Sequence, residues 1–363
     1  MKRPNLTKLG KPAIISLIVV GVLFAAGFTG ATISSLIHTD SNLDSGNNQD
    51  VENQTPPEVF YNVLTGLETT SELADLRPVS ICIANSAYAL PQDGISNAEV
   101  LIEMPIENGG TRLIMLTTSY QKVATIGAVQ SVREYMLQAA GAFGAIQFFN
   151  GTDNTVSYET ILRYNTLDYV TQNMVSVYYK DNTRVSPNDL MTNGILIDNA
   201  IKKYSLDPTV PVGYKTPYVF VAPGAEAAVD GGNARTVSIG YANDLTVTYK
   251  YDPQTGKYYR YQYGEIQIDG NNGDKIAFDN LFILFASSVT YDKENGSELD
   301  LIMEDGGSGY YCTDGKYETI RWQYNNDGSM TFYDAEGNLL EVNRGTSYIG
   351  FTKAGSKDRV SIQ

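Results

Sequence analysis

The residues most able to do chemistry in this chain lie in one stretch, "VLIEMPIENGGTRLIML" at 100–116. It places Glu103, Glu107 and Arg112 between apolar runs, and Asn-Gly-Gly at 108–110 predicts a hairpin turn. Strand side chains alternate faces, so a loop with an even residue count would bring the three together. They would form a ligand site or an exposed cross-strand ion pair of about 0.2–1 kcal/mol. The opposite, core face would carry Ile102, Met104, Ile106, Leu113 and Met115.

A second group of candidate residues follows further along the chain. Ser131 stands three residues before Glu134 and an apolar run, which predicts a capping box at a helix start. That helix N-terminus, with Arg133, would suit a carboxylate or phosphate; the alternative is that Ser131 only caps and Arg133 pairs with a neighbour. Asn150 and Asp153 follow a predicted buried strand, "IQFF", where open α/β sheets gather their sites.

Several catalytic systems are excluded by composition. The only histidine is His38, so histidine-based nucleophile systems and histidine-bearing zinc sites lack their key residue. The two cysteines, Cys82 and Cys312, cannot form a thiolate metal site; we interpret them as small buried residues, with a disulfide as the alternative. The stretch 269–280 begins like a calcium loop but lacks its glycine and final acid. We therefore expect no metal and no cofactor.

The charge of the chain also narrows the choice of partners. All 41 acidic residues lie beyond residue 37, and four of the 26 basic residues lie before it. The part after residue 37 thus has a net charge of −19, with no basic run. Such a surface repels phosphate polymers, so we expect no nucleic-acid partner.

The N-terminus predicts an attachment to the membrane. Residues 1–12 form a basic segment that we expect in the cytoplasm, and 13–37 contain no charge, long enough for a single transmembrane helix. A cleaved signal peptide is the alternative, although its apolar core usually spans roughly 7–15 residues. Residues 38–58 predict a disordered tether. The folded part would lie outside the cell membrane.

The remainder of the chain divides into two predicted domains by its pattern of strands, helices and turns. Residues 59–214 alternate buried strands, such as "RPVSICIAN", with helical segments such as "SYETILRY", which favours an α/β domain. Residues 215–363 contain short strands with turns at Asp252–Gly256, Asp314–Gly315 and Ala335–Gly337, which favour an antiparallel all-β domain. In "YYRYQYG", three tyrosines at 259, 261 and 263 share one predicted face, as a sugar-stacking platform or, preferably, as cross-strand packing.

Six segments together resemble the YerB-like family, a two-domain family of unknown function whose members are described as bacterial lipoproteins. They are "RPVSICIANS", "PQDGISNAEVLIEMPIENGGTRLIML", "IGAVQSVREY", "YDPQTGKYYRY", "GSGYYCTDGKYETIRW" and "FYDAEGNLLEVNRGTSYIGF", within about residues 75–354. The resemblance implies a bacterial envelope protein with an α/β domain followed by a β domain. It implies no activity.

The chain departs from that family in two places. It has no lipid-attachment cysteine after the apolar segment, which favours a transmembrane anchor. Where the family pattern resembles Pro-Val-Arg-Ser-x-Arg, Gln130 replaces the first arginine, which would weaken an anion pocket built on both. We therefore expect a non-catalytic binding or assembly module for an envelope glycan, peptide or protein. The alternative is a wall-glycan hydrolase using Glu103 or Glu107 with Asp153.

Overall fold

The computed structural model describes residues 58–152, 168–170, 176–293 and 296–363. From residue 57 onward the chain forms one compact unit. The predicted anchor at 13–37, the tether up to residue 57, the "SYETILRY" helix and Asp153 lie outside the described residues. Within the described ranges, no helix is long and apolar enough to span a membrane.

Strands dominate the regular secondary structure of the described residues, which also contain three short α-helices. The helices are α1 (Ser71–Ala74), α2 (Glu134–Gly141) and α3 (Gly194–Lys203). The strands of the first half are β1 (Phe60–Tyr61), β2 (Glu68–Thr69), β3 (Val79–Ala84), β4 (Val100–Pro105), β5 (Thr111–Thr117), β6 (Ile126–Gly127), β7 (Ile146–Phe148), β8 (Asp168–Val170), β9 (Tyr179–Lys180) and β10 (Leu190–Thr192). Those of the second half are β11 (Val219–Phe220), β12 (Thr236–Gly240), β13 (Thr246–Asp252), β14 (Lys257–Gln262), β15 (Glu265–Ile266), β16 (Ala277–Phe278), β17 (Asn280–Lys293), β18 (Gly296–Ile302), β19 (Gly307–Thr313), β20 (Lys316–Tyr324), β21 (Met330–Tyr333), β22 (Glu341–Val342), β23 (Ser347–Lys353) and β24 (Val360–Ile362).

A central sheet joins the two halves of the chain. Its described strands run in the order β21-β20-β19-β17-β23-β4-β5-β3-β7-β8, and β18 pairs with the far part of β17. The junction is the parallel pairing of β23 with β4, which aligns Ser347 with Val100 and Gly350 with Glu103. The two halves therefore share one set of backbone hydrogen bonds.

Both faces are covered at the centre of this sheet, where every residue of β3 and β4 is buried. One face packs against α2, where Tyr135 and Met136 share a buried cluster with Ile102 and Met104. The other face packs against a six-stranded sheet, β15-β14-β13-β12-β24 with β16, and against α3. Leu113 is one of the residues buried on that second side.

Several sequence predictions are confirmed. The run from Arg77 contains β3, whose six residues are all buried, and the predicted hairpin is present as β4 and β5. Strand β7 lies where "IQFF" predicted it.

The prediction of an α/β domain followed by a purely antiparallel β domain needs correction. The described chain is mostly β, with few helices. Parallel pairs occur in the second half as well, between β17 and β23 and between β11 and β22. The first of these pairs arises because β23 inserts between β17 and β4, which are distant in sequence, and no local turn pattern encodes such a pairing.

Candidate functional site

The register of the β4–β5 hairpin separates the residues that the sequence was expected to bring together. Pro105 pairs with Thr111, so the loop contains five residues, and Met104 stands opposite Arg112. An odd loop reverses the expected parity. Glu103 therefore lies on the opposite face of the sheet from Arg112, and the predicted convergence of Glu103, Glu107 and Arg112 is wrong.

Glu103 is fully buried in a polar network between the sheets. Its Oε2 lies 3.1 Å from Nη2 of Arg260, which is also fully buried. Tyr348 donates to the same oxygen at 2.9 Å, while Asn85 and Thr111 donate to Oε1 at 2.9 and 2.8 Å. Burial alone would lower the pKa of Arg260, but the Glu103 carboxylate and neighbouring tyrosines raise it. Glu103 links the two halves and cannot meet a ligand at the surface.

Glu107 and Arg133 form a two-pronged ion pair on the other side of the sheet. Arg133 donates from Nε to Oε1 at 3.0 Å and from Nη2 to Oε2 at 2.8 Å. The side chains keep 13% and 12% of their exposure. Burial alone would raise the pKa of Glu107, but hydrogen bonds from Arg133 and from backbone amides, including Leu299, hold it below the usual value. The pair is partly open to solvent.

Arg112 lies beside this pair and has a different environment. Its Nη1 donates to the backbone carbonyl of Ser131 at 2.6 Å. Among the described residues, no carboxylate forms an ion pair with Arg112, whose guanidinium has five N–H donors. Burial and the nearby Arg133 charge both lower its pKa from the ordinary arginine value, against the opposing effects of Cys82 and Glu107.

Ser131 does not cap the helix, which corrects the capping-box prediction. Helix α2 begins at Glu134, and its N-cap is Arg133, with no side-chain cap. The preceding residues are extended because they join the edge of the sheet: Gln130 N–H donates to the Cys82 carbonyl, and Val132 bridges to Thr152. Ser131 contributes its carbonyl to Arg112 instead.

Asn150 follows the carboxyl end of β7, which pairs in parallel with β3. The site prediction required β7 to be the parallel neighbour of the strand before Ser131, and this is wrong: β5 is antiparallel to β3 and does not pair with β7, and β6 pairs with β10 in a separate sheet. The backbone N–H of Asn150 donates to the Gln130 carbonyl at 2.9 Å. Its Oδ1 is buried and has no hydrogen-bond partner among the described residues. Asp153, the other residue predicted here, lies outside the described residues.

A cavity of about 240 Å³ adjoins Arg133. It is lined by the start of α2 and by the β17–β18 arm, namely Arg133, Glu134, Tyr135, Tyr291, Glu298, Leu299 and Asp300. Tyr135 is fixed by donating its hydroxyl to the Pro105 carbonyl at 2.8 Å. One arginine therefore lies among several acids, which suits a small polar group better than a polyanion.

The geometry weakens the hydrolase alternative. A general acid must reach the scissile bond and keep a raised pKa. Glu103 is fully buried against Arg260, and the pKa of Glu107 is lowered. The two described carboxylates proposed for the reaction are therefore both held by arginines.

The other residues that the sequence singled out have structural roles. Cys82 and Cys312 are buried and unbridged, and burial raises the pKa of Cys82 to about 11. Asp269 accepts hydrogen bonds from the Gly94 and Ser96 amides, which fixes a turn. Tyr259 and Tyr261 alternate outward along β14, and Lys250 lies 4.4 Å from the Tyr261 ring centre. Tyr263 lies beyond the strand, in a turn with a φ of 54°.

Sequence reasoning missed Arg260. The relevant pattern was present in "KYYRYQ", where Tyr258, Arg260 and Gln262 alternate with the outward tyrosines and are buried. An arginine at an inward position of an alternating strand requires a buried partner. The partner, Glu103, is distant in sequence and no spacing rule identifies it.

The fold and these sites define a two-part, mostly β protein class, and comparison with known proteins places the chain in one family. Residues 64–207 match the family model "Protein of unknown function (DUF3048) N-terminal domain", and 237–349 match the corresponding C-terminal domain. The chain belongs to this family.

A curated relative and a solved structure support the same family assignment. "Putative lipoprotein YerB" from Bacillus subtilis (strain 168) is 29% identical over 269 residues, covering 72% of this chain and 77% of the relative. The crystal structure of YerB protein from Bacillus subtilis is similar with a TM-score of 0.72 and 25% identity, covering 84% of this chain and 99% of that chain. The predicted family resemblance is confirmed.

Proposed function

We propose that the chain is a membrane-attached protein of the bacterial envelope that acts by binding, and that Arg112 and Arg133 recognise an acidic group on its partner. The relative named as a lipoprotein supports the location. The uncharged segment 13–37 would provide a single-pass anchor in place of a lipid, with the folded part outside the membrane.

The environment of Arg112 is the observation that carries the proposal for binding. Its charge is partly buried and the described chain gives it a backbone carbonyl but no carboxylate. Placing a guanidinium in such surroundings costs free energy unless an anion accompanies it. A ligand carboxylate would satisfy the remaining donors in the two-pronged geometry that arginine favours.

The net charge restricts the class of ligand. With 41 acidic and 26 basic residues, the chain repels dense polyanions at long range. A single carboxylate on an otherwise neutral glycan or peptide avoids that repulsion. We therefore propose a partner that presents isolated carboxylates.

Binding to chemically modified wall fragments tests this proposal. Purified glycan-peptide fragments with free carboxylates would be compared with the same fragments after amidation, using the full chain. We expect Arg112→Ala to weaken binding of the free form roughly 10-fold or more, because a charged hydrogen bond is lost. Arg112→Lys should retain part of the affinity, since it keeps the charge but not the planar fork.

The matched control is Arg235→Ala, which removes an exposed arginine from the second half of the chain. It should leave binding unchanged. Equal binding of free and amidated fragments, or equal loss in the Arg112 and Arg235 variants, would show that the Arg112 region is not the recognition site.

A further inference from the structure

Strand β17 extends beyond the strand that covers one of its edges. On one side it pairs first with β19 and then with β18. On the other side it pairs with β23, and the last pair joins Ala286 to Lys353. After Lys353 the chain turns into a short 3₁₀-helix, Ala354–Arg359. Among the described residues, no strand pairs with β17 on that side beyond Ala286, so residues 287–293 have one open edge.

The register of the β17–β18 arm shows which backbone groups this open edge presents. Thr290 pairs with Leu299, whose N–H donates outward, to Oε1 of Glu107 at 3.3 Å. In an antiparallel ladder such a pair exchanges no backbone hydrogen bonds, so Thr290 directs its N–H and C=O away from β18. Ser288 and Asp292, two residues to either side, have the same orientation. The N–H and C=O groups of all three residues therefore point to the open edge.

The open edge is accessible, and it lacks the features that usually block strand pairing. Residues 288–292 are all exposed and contain no proline or lysine. Val289 and Tyr291 lie on one face of the strand and keep 41% and 48% of their exposure. Because β-branched and aromatic side chains favour pairing, such an edge is a template for a further strand. On the outer edge of β18, by contrast, Glu107 already accepts from the Leu299 N–H.

The charges at the two ends of the edge select the direction of a bound chain. Asp292 lies toward the tip of the arm, and exposed Lys353 lies at its base, opposite Ala286. Within the described ranges, neither forms an ion pair. An antiparallel chain, which pairs more stably than a parallel one, would begin at Asp292 and end beside Lys353. A basic first residue and a free C-terminal carboxylate would match these two charges. The same sign as at Asp292 is carried by two residues of β18, Glu298 and Asp300.

A second copy of this chain fits the edge less well than a short peptide. Antiparallel pairing of two arms about Thr290 would place Lys293 of one copy beside Ser287 of the other, next to the position of Lys353. Each copy also carries 41 acidic and 26 basic residues, so two copies repel each other. A peptide avoids both problems, because it can end before Lys353.

We propose that the open edge of β17 at 288–292 binds an extended peptide of about five residues as an additional antiparallel strand. Alternate backbone groups of the peptide bond to Ser288, Thr290 and Asp292. Its β-branched or aromatic side chains pack against Val289 and Tyr291, and its C-terminal carboxylate lies near Lys353. The site goes beyond the binding proposed for the Arg112 region, because it recognises a peptide backbone through different residues.

Binding of a matched set of peptides to the full chain tests the proposal. The probe is Lys-Val-Thr-Tyr-Thr with a neutral fluorophore at its N-terminus and a free C-terminal carboxylate, and its third residue would pair with Thr290. Binding is followed by fluorescence anisotropy. Methylation of the third amide nitrogen removes an N–H that faces β17 and should weaken binding about 10-fold or more. Methylation of the fourth amide nitrogen, which faces solvent, should leave binding nearly unchanged.

A C-terminal amide separates the charge contact from the backbone pairing. It removes the attraction to Lys353 and should weaken binding about twofold to fivefold. Equal binding of the two methylated peptides, or no saturable binding of the probe, would overturn the proposal.

Two variants and hydrogen exchange locate the bound peptide. Thr290→Pro removes the N–H donor at the centre of the open edge and should weaken binding about 10-fold or more, whereas Thr290→Val keeps the backbone and should not. In the unmodified chain, the probe should slow exchange of the Ser288, Thr290 and Asp292 amides. Protection confined to other strands would overturn the proposal. Protection that rises with protein concentration in the absence of peptide would also overturn it, because the occupant would then be a second copy.

Discussion

Two glutamate–arginine pairs lie on opposite sides of one hairpin, and they differ in nearly everything except composition. Glu103 and Arg260 are both fully buried, whereas Glu107 and Arg133 keep about an eighth of their exposure beside a cavity. The first pair joins the two halves of the chain. The second places a cation at a surface where a ligand could reach it. Burial therefore limits which of the two pairs a ligand can reach.

The largest expected effect is at the buried pair. Glu103→Ala would leave the Arg260 charge buried without its counter-ion, which should lower the free energy of unfolding by about 3–5 kcal/mol. Urea denaturation measures this loss. The double variant Glu103→Leu/Arg260→Met removes both charges and should recover most of the stability. A loss below about 1 kcal/mol in Glu103→Ala would contradict the structural role of the pair.

The partly exposed Glu107–Arg133 pair should contribute less to the free energy of unfolding, and its contribution should depend on pH. Arg133→Ala should cost about 1 kcal/mol at pH 7. The folded-state pKa of Glu107 lies below the usual value, so its contribution is fully present above about pH 4.3 and is lost as the pH falls through the folded-state pKa. The gap between wild type and Arg133→Ala in urea should therefore shrink by pH 3. A gap of constant size would argue against Glu107 as the partner.

The smallest effect is expected at an exposed pair, which extends the same comparison. Lys202 contacts Asp198 one turn away on α3, and the lysine side chain is 72% exposed. Lys202→Ala should change the free energy of unfolding by no more than about 0.3–0.5 kcal/mol. Differential scanning calorimetry can measure the accompanying small shift in Tm. A change as large as that of Arg133→Ala would contradict the expected relation between the burial of an ion pair and its contribution to the free energy of unfolding.

The sequence predicted local structure well where the pattern was local. The Asn-Gly-Gly turn located the hairpin, and the apolar run from Arg77 located β3. The prediction of which side chains share a face of the hairpin was wrong, because the shared face depends on whether the loop has four or five residues. Asn108 and Gly109 both adopt positive φ, at 59° and 80°, and the loop closes with five. Composition does not determine this count, since Asn-Gly and Gly-Gly pairs occur in loops of either parity.

The sequence predicted only part of the candidate site. Ser131 and Arg133 lie near Arg112 because the segment after β6 runs beside the end of β3, where the Gln130 N–H donates to the Cys82 carbonyl, and β3 pairs with β5. Whether they bind a ligand remains a prediction. The Glu103–Arg260 pair was missed because its members are far apart in sequence and meet only through sheet packing. No periodicity encodes such meetings.

The position of β23 has a consequence for how the protein is made. This strand lies near the end of the chain, yet it occupies the middle of the central sheet, between β17 and β4. During synthesis and export, β4 and β17 both keep an open edge until residues 347–353 are available. Assembly of the sheet must therefore wait for nearly complete synthesis, and a chain that stops early would present two unpaired strand edges to its neighbours.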